Sequence, residues 1–98
     1  MILVWLPRAL KDRDEQLDYI AQDNPQAAIE QGDRLEQHID LLVEHPEIGP
    51  AGRRKSTREM VISRTPFVVV YRLRPKLVRI EIVRVLHSAQ QWPKSKDT

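Results

Sequence analysis

Residues 59–86 have the sequence EMVISRTPFVVVYRLRPKLVRIEIVRVL, which is the part of the chain most informative about the fold. It holds three apolar segments rich in β-branched residues, at residues 59–64, 67–73 and 77–86. Only Thr65-Pro66 and Arg74-Pro75-Lys76 separate these segments, and links this short join neighbouring antiparallel strands. The stretch therefore predicts a three-stranded antiparallel meander, whose middle strand carries three consecutive valines and is buried on both faces.

The sequence before the meander predicts a short strand and a helix. Residues 2–6 are apolar, and Pro7 ends the strand because it cannot donate to a sheet ladder. Helical periodicity then runs to about residue 22, with an apolar stripe on one side and acidic residues facing solvent. The stripe comprises Leu10, Leu17, Ile20 and Ala21, and the solvent-facing acids are Asp12, Asp14, Glu15 and Asp18.

A second helix is predicted directly after the first. Asn24-Pro25 combines a favoured N-cap residue with a proline at the first helical position. We expect the helix to run to Glu44 and to end before His45-Pro46, since a residue that precedes proline avoids the α region. Its predicted buried stripe comprises Ala28, Gly32, Leu35, Ile39, Leu42 and Val43.

These elements predict an α+β fold in the order β-α-α-β-β-β. Its two layers are a helical hairpin and an antiparallel sheet, with the hairpin on one sheet face and the other face partly open. The chain of 98 residues is too short for two independent cores. We therefore expect one domain over residues 1–93 and a polar tail over residues 94–98.

The composition excludes several kinds of site. The chain has no cysteine, which rules out disulfides, thiolate metal sites and cysteine catalysis. Its three glycines form no nucleotide-binding loop and its three histidines have no metal-ligand spacing, so we expect neither metal nor cofactor. No apolar run approaches the ~20 residues of a transmembrane helix, and the N-terminus does not resemble a signal peptide. We expect a cytoplasmic protein that does not bind membranes.

The two halves of the chain carry opposite charge. Residues 1–49 hold four basic and eleven acidic side chains, a net charge of −7, whereas residues 50–98 hold twelve basic and three acidic ones, a net charge of +9. This asymmetry indicates an anionic partner that docks on the second half. The alternative is that the halves neutralise each other within one fold.

Arginine dominates the basic half. Its planar guanidinium binds carboxylate or phosphate through two parallel hydrogen bonds. We predict a binding face for an anionic partner, although charges that protect a sheet edge from aggregation give the same composition. The predicted binding residues are Arg53, Arg54, Lys55, Arg58, Arg72 and Arg79.

Three residues, His87, Glu59 and Arg84, are the candidates for catalytic chemistry. Strand alternation places His87 on the face of Arg79 and Glu81, provided that no bulge intervenes, and a histidine pKa of about 6.5 suits a general acid. A backbone hydrogen bond is its alternative role. Glu59 is either a base or the ion-pair partner of Arg58. We expect the aliphatic part of the Arg84 side chain to pack at the edge of the core and its guanidinium to be exposed to solvent.

Three segments resemble a known family of proteins. They are TREMV at residues 57–61, PFVVVYR at residues 66–72 and IVRVLHSAQQWP at residues 82–93. Over residues 2–93 the chain resembles the RelE/ParE superfamily, the toxins of type II toxin–antitoxin modules. The second segment and residues 84–93 are most similar to its ParE-like, plasmid-stabilisation branch.

The resemblance implies a small bacterial toxin that a cognate antitoxin holds inactive in a hetero-oligomer. The antitoxin is expected to wrap the sheet and the helices with an acidic, amphipathic segment. ParE-like members inhibit DNA gyrase and block replication, whereas RelE-like members are endoribonucleases that cleave mRNA on the ribosome. A third alternative is a non-toxic nucleic-acid-binding or scaffold protein, because a fold does not fix a function.

The two toxic branches differ in whether they need catalytic residues. Ribosome-dependent cleavage requires a base, cations beside the phosphate and an acid for the leaving oxygen. The candidates for those roles are Glu59, Arg58, Arg64, Arg84 and His87. The last strand is followed by Ser-Ala-Gln-Gln-Trp, not by the tyrosine or lysine-rich ending of RelE-like nucleases. The resemblance therefore favours the gyrase-directed branch, in which these residues are not catalytic.

Overall fold

A computed structural model describes residues 1–88 and 90–93 of the chain. The predicted order of elements is confirmed, and the predicted tail over residues 94–98 lies outside the described residues. The elements are β1 (Ile2–Trp5), α1 (Pro7–Asp23), α2 (Pro25–Glu44), β2 (Arg58–Val61), β3 (Phe67–Arg74) and β4 (Arg79–His87). The last strand begins two residues later than predicted, because Pro75–Leu77 forms a 3₁₀ turn before it.

The four strands form one sheet in the order β1-β4-β3-β2. Strands β2, β3 and β4 form the predicted antiparallel meander. Strand β1 instead lies parallel to β4, from Ile2 opposite Arg79 to Trp5 opposite Ile82. The expectation of a wholly antiparallel sheet was therefore wrong for β1. Short links impose antiparallel pairing only on successive strands, whereas a helical hairpin and two strands separate β1 from β4.

The helical hairpin packs on one face of the sheet, and the main core lies between the two layers. The second helix contributes Leu35, Ile39 and Leu42 to it, all of which are buried. They meet sheet residues that alternate along the strands, namely Met60, Phe67, Val69, Tyr71, Ile80 and Ile82. Burying each large apolar side chain contributes about 1.5–3 kcal/mol, so this core is the main source of stability.

Two residues depart from the predicted helix faces. Val43, predicted to be buried, is exposed, because Leu42 occupies the core-facing position of the last turn and adjacent helix residues point about 100° apart. Asp12, predicted to face solvent, is only 7% exposed. It is buried because its carboxylate accepts hydrogen bonds from Arg84 on the neighbouring strand β4.

A β-bulge interrupts the pairing of β3 with β4. Val70 lies opposite Arg84 and Tyr71 lies opposite Ile82, so Val83 is an extra residue in β4. One extra residue reverses the alternation of side chains along the remainder of a strand. His87 therefore lies opposite Phe67, on the helix side of the sheet. The prediction that His87 shares a face with Arg79 and Glu81 was wrong for this reason.

The start of α2 depends on the predicted cap. The Asn24 side chain accepts a hydrogen bond of 3.1 Å from the backbone N–H of Ala27. Replacing Asn24 with alanine is expected to lower the free energy of unfolding by about 1 kcal/mol, because that N–H loses its partner. Equilibrium urea unfolding measures the loss, and Asn24→Asp is the control that keeps the acceptor. Equal stability of the alanine variant and the wild type would contradict this role.

Candidate functional site

Three arginines surround one carboxylate on the sheet face that points away from the helices. In the β3–β4 register Arg72 lies opposite Glu81 and Arg74 lies opposite Arg79. Arg72 Nε and Arg74 Nε contact Glu81 Oε1 at 2.5 and 3.2 Å, and Arg79 Nη2 contacts Oε2 at 2.5 Å. We call Arg72, Arg74 and Arg79 the arginine triad. With Glu81 it carries a formal charge of +2.

The triad buries Glu81 and keeps it ionised. The Glu81 side chain is only 2% exposed. The hydrogen bond from Arg72 is the main cause that lowers the pKa of Glu81 to about 2, against a raising effect of burial, and Arg74 and Arg79 lower it further. At neutral pH the face therefore presents three guanidinium groups held at fixed positions around one buried carboxylate.

The other end of this face is closed by the chain itself. Trp92 packs on the sheet residues Val68, Val70 and Leu86 in a second, smaller core. Trp92 therefore covers this end of the sheet. The guanidinium carbons of Arg53 and Arg54 lie 5.9 and 5.8 Å from the centre of a Trp92 ring, within the range of cation–π attraction. The basic loop at residues 53–55 therefore packs over Trp92 and lies beside the sheet.

Glu59 is the ion-pair partner of Arg53 and not of its neighbour Arg58. Its carboxylate accepts hydrogen bonds from the Arg53 backbone N–H at 2.7 Å and from Arg53 Nε at 3.0 Å. Burial acts to raise the pKa of Glu59, but the hydrogen bonds from Arg53 outweigh it, and the pKa falls below the usual 4.5. The predicted base is thus held ionised by a cation.

Arg58 stabilises the loop that leads into β2. Its Nη1 donates to the carbonyl oxygens of Gly49 at 2.7 Å and Glu47 at 3.3 Å. Arg58 lies opposite Tyr71, whose hydroxyl accepts a hydrogen bond from the Gly49 N–H, so these contacts join the loop to the core. The structure therefore places Arg58 on the helix side, apart from the other predicted binding residues.

Arg84 is the centre of a buried ion pair. Its Nε and Nη2 donate to Asp12 at 2.6 and 3.2 Å, and the Val85 N–H next to the bulge donates to the same carboxylate at 3.0 Å. The Arg84 side chain is 14% exposed, so the expectation of a solvent-exposed guanidinium was wrong. Asp12 directs Arg84 towards α1 and satisfies the backbone at the bulge.

His87 lies at the rim of a cleft between α1 and the sheet. The cleft has a volume of about 400 Å³, and its lining includes Arg8, Gln16, Tyr19, Phe67 and Arg84. Arg64 lies elsewhere, in the β2–β3 turn, with a left-handed φ of 64°. The structure therefore brings Arg84 and His87 to one cleft, and it leaves Glu59, Arg58 and Arg64 outside that cleft.

Comparison with known proteins identifies the family. The family model described as "ParE toxin of type II toxin-antitoxin system, parDE" matches residues 3–92. The chain belongs to the ParE toxin family. A protein named Putative toxin Y4kP, from Sinorhizobium fredii, is 42% identical to it over 89 residues, which cover 91% of this chain and 90% of that protein. The predicted resemblance is confirmed at the level of the family.

A solved structure supports the fold of this ParE-family toxin. A chain of the structure described as "Chromosomal ParDE TA system from P. aeruginosa" superposes with a TM-score of 0.78 at 22% sequence identity. The match covers 89% of the toxin and 95% of that chain. At this identity the likeness concerns the fold, and it confirms the architecture of a helical hairpin on a four-stranded sheet.

The described part of the ParE-family toxin offers few other kinds of site. Residues 1–88 and 90–93 contain no group of three or more His, Cys, Asp or Glu side chains that could hold a metal ion. Over the same residues, neither helix has the length and hydropathy needed to cross a bilayer. Among the ion pairs of this part, only Arg84–Asp12 joins the acidic half to the basic half. The basic sheet face is therefore the strongest candidate for an interaction surface.

Proposed function

We propose that this ParE-family toxin inhibits DNA gyrase, and thereby replication, and that a cognate antitoxin neutralises it in a hetero-oligomer. The observation that carries the choice of target is that the candidate catalytic residues lie apart from one another. Glu59 faces away from the helices and is held by Arg53, whereas Arg84 and His87 lie beside α1. Membership of the ParE family supports the same choice.

The separation of the candidate catalytic residues is physical evidence against the ribonuclease alternative. A base and an acid must both come within hydrogen-bond reach of one phosphodiester, and cations must stabilise its transition state. Here Asp12 already engages the guanidinium of Arg84, and the hydrogen bonds of Arg58 go to loop carbonyls. A toxin that acts by binding a protein target does not require these groups to converge.

The charge of the sheet face supports neutralisation by a protein. Arg72, Arg74 and Arg79 exceed their one carboxylate by two positive charges. An extended or helical segment with acidic and aliphatic side chains, folding as it binds, complements such a face. We therefore expect the antitoxin to cover the arginine triad and the apolar side chains beside it.

Removal of the histidine tests the choice of target. If the toxin were a ribonuclease with His87 as its general acid, His87→Ala would reduce mRNA cleavage by about 10²–10⁴-fold and relieve growth arrest. Under the gyrase proposal, growth arrest in induced cells persists, as it does for the control His45→Ala at an exposed position. Loss of arrest in His87→Ala alone, with normal folding, would contradict the proposal.

A paired assay in induced cells separates all three functions. Plasmid supercoiling and DNA breaks are followed together with primer-extension mapping of mRNA ends. Relaxed or broken DNA with intact messages is the result that the proposal predicts. Messages cut within codons, with intact DNA, would establish the ribonuclease alternative. Normal growth together with a salt-sensitive affinity for bare RNA or DNA would establish the nucleic-acid-binding alternative.

A further inference from the structure

We propose that the arginine triad is a docking site for a carboxylate side chain of the antitoxin, and that exposed aliphatic residues beside it receive that residue's apolar neighbours. This inference rests on the proposed function and adds a defined place and chemistry to it. The triad has a formal charge of +3, and Glu81 supplies the only carboxylate that contacts it within residues 1–88 and 90–93. A second carboxylate would reduce the remaining charge of +2 to +1.

The donors of the triad are incompletely used. Arg79 Nε is buried and has no hydrogen-bond partner within the described residues. A buried donor without a partner is costly, and more so on a charged group. The Arg74 side chain is 48% exposed and touches Glu81 through a single contact of 3.2 Å. A guanidinium offers five N–H donors, so the half-exposed Arg74 retains donors on its solvent side for a second carboxylate.

Aliphatic side chains lie next to the triad. Ile2 is opposite Arg79 in the β1–β4 register and is 68% exposed. Leu77 and Val78, which directly precede Arg79, are also exposed. Val78 is held in the left-handed region at φ 51°, which is unfavourable for a β-branched residue, while its carbonyl oxygen accepts a hydrogen bond from the Ile2 N–H. The fold therefore keeps an apolar patch beside a cationic one.

This combination favours a protein partner over nucleic acid. Phosphate also binds arginine, but a phosphate backbone gains nothing from Ile2, Leu77 and Val78. A peptide with one acidic residue between aliphatic residues satisfies both the guanidinium groups and the apolar patch.

The test uses the full chain and the purified product of the gene adjacent to its own as the antitoxin probe. Arg74→Gln removes the most exposed guanidinium and leaves Arg72 and Arg79 on Glu81, so the fold is retained. We expect this change to weaken antitoxin binding about tenfold and to reduce its salt dependence. The matched control is Lys76→Gln, which removes one positive charge from the adjacent turn, and it should change the affinity less than about twofold.

The apolar patch is tested separately. Ile2→Ser should weaken antitoxin binding about tenfold without altering its salt dependence.

The outcomes separate this inference from the proposed function. Wild-type toxin that binds the probe, together with Arg74→Gln and Ile2→Ser variants that bind equally well, would overturn the docking site and leave the proposed function intact. Wild-type toxin that inhibits gyrase but shows no affinity for the probe would overturn the docking site and the neutralisation by this antitoxin, and it would leave gyrase as the target. The affinity of the toxin for a DNA duplex is measured as well. If Arg74→Gln lowers this affinity and leaves the affinity for the antitoxin unchanged, the triad binds nucleic acid and the inference is overturned.

Discussion

Replacing Asp12 with alanine is expected to lower the free energy of unfolding by about 3–5 kcal/mol, because it leaves Arg84 buried without its counter-charge. The carboxylate also accepts the backbone N–H of Val85 beside the bulge. Both groups would lose a charged acceptor in a site that is nearly closed to solvent. Equilibrium urea unfolding gives the loss directly.

Two further variants test the cause of this loss. Asp14 is on the same helix, and its exposed carboxylate pairs with Arg13. Asp14→Ala should lower the free energy of unfolding by less than about 1 kcal/mol. Asp12→Leu combined with Arg84→Met removes both charges and should recover much of the stability, since apolar residues can replace a buried ion pair. An Asp12→Ala variant as stable as the Asp14→Ala variant would contradict the account of the bulge.

Replacing Glu81 with glutamine is expected to cost about 3 kcal/mol at pH 7, the lower end of the range for breaking a buried pair. Three guanidinium groups would then repel one another around a neutral amide. The loss stays at the lower end because each arginine of the triad is partly exposed and solvent screens part of the repulsion. Urea midpoints at pH 7 measure it, with Glu36→Gln at an exposed position as the control.

The same variant should remove part of the acid sensitivity of the fold. The pKa of Glu81 is about 2 in the folded protein, below its usual value of 4.5, because Arg72, Arg74 and Arg79 favour the ionised form. Its contribution is therefore complete above about pH 4.5 and is lost as the pH falls towards 2. Wild-type stability should decline more steeply over this window than that of Glu81→Gln. Parallel curves for the two proteins would contradict the assignment.

Local signals in the sequence were sufficient for most of the architecture. Short links such as Thr65-Pro66 leave neighbouring strands no alternative to antiparallel pairing, and Asn24-Pro25 marks a helix start by its own chemistry. The parallel pairing of β1 with β4 was not predicted, because residues more than 70 positions apart meet there and no local pattern encodes that choice.

The candidate site was harder to predict because one bulge changes its geometry. Val83 has no special backbone chemistry to mark it as an extra residue, yet it moves His87 to the helix side. Asp12 accepts the hydrogen bond from the Val85 N–H beside the bulge. Asp12 lies on α1, and the helical periodicity had placed it on the solvent-facing side. An ion pair between distant residues can bury a charged side chain that the amphipathic pattern places in solvent, and the pattern itself does not show it.

Glu81 and Arg74 were also absent from the predicted site. Glu81 is a single acid between Ile80 and Ile82 in the most basic part of the chain, which is a signal that could have identified it as the centre of an arginine cluster. Three of the predicted binding residues, Arg53, Arg54 and Lys55, form the basic loop beside Trp92. Two others, Arg72 and Arg79, belong to the triad, whereas Arg58 is turned towards the loop carbonyls.

Inhibition of DNA gyrase can be measured in a supercoiling assay with purified components. Purified toxin is titrated into DNA gyrase, relaxed plasmid and ATP, and the topoisomers are resolved on a gel. We expect supercoiling to be lost as toxin is added and to be restored by the antitoxin. Unchanged supercoiling at a large molar excess of toxin, with ribosome-bound messages cut by the same preparation, would exclude gyrase as the target.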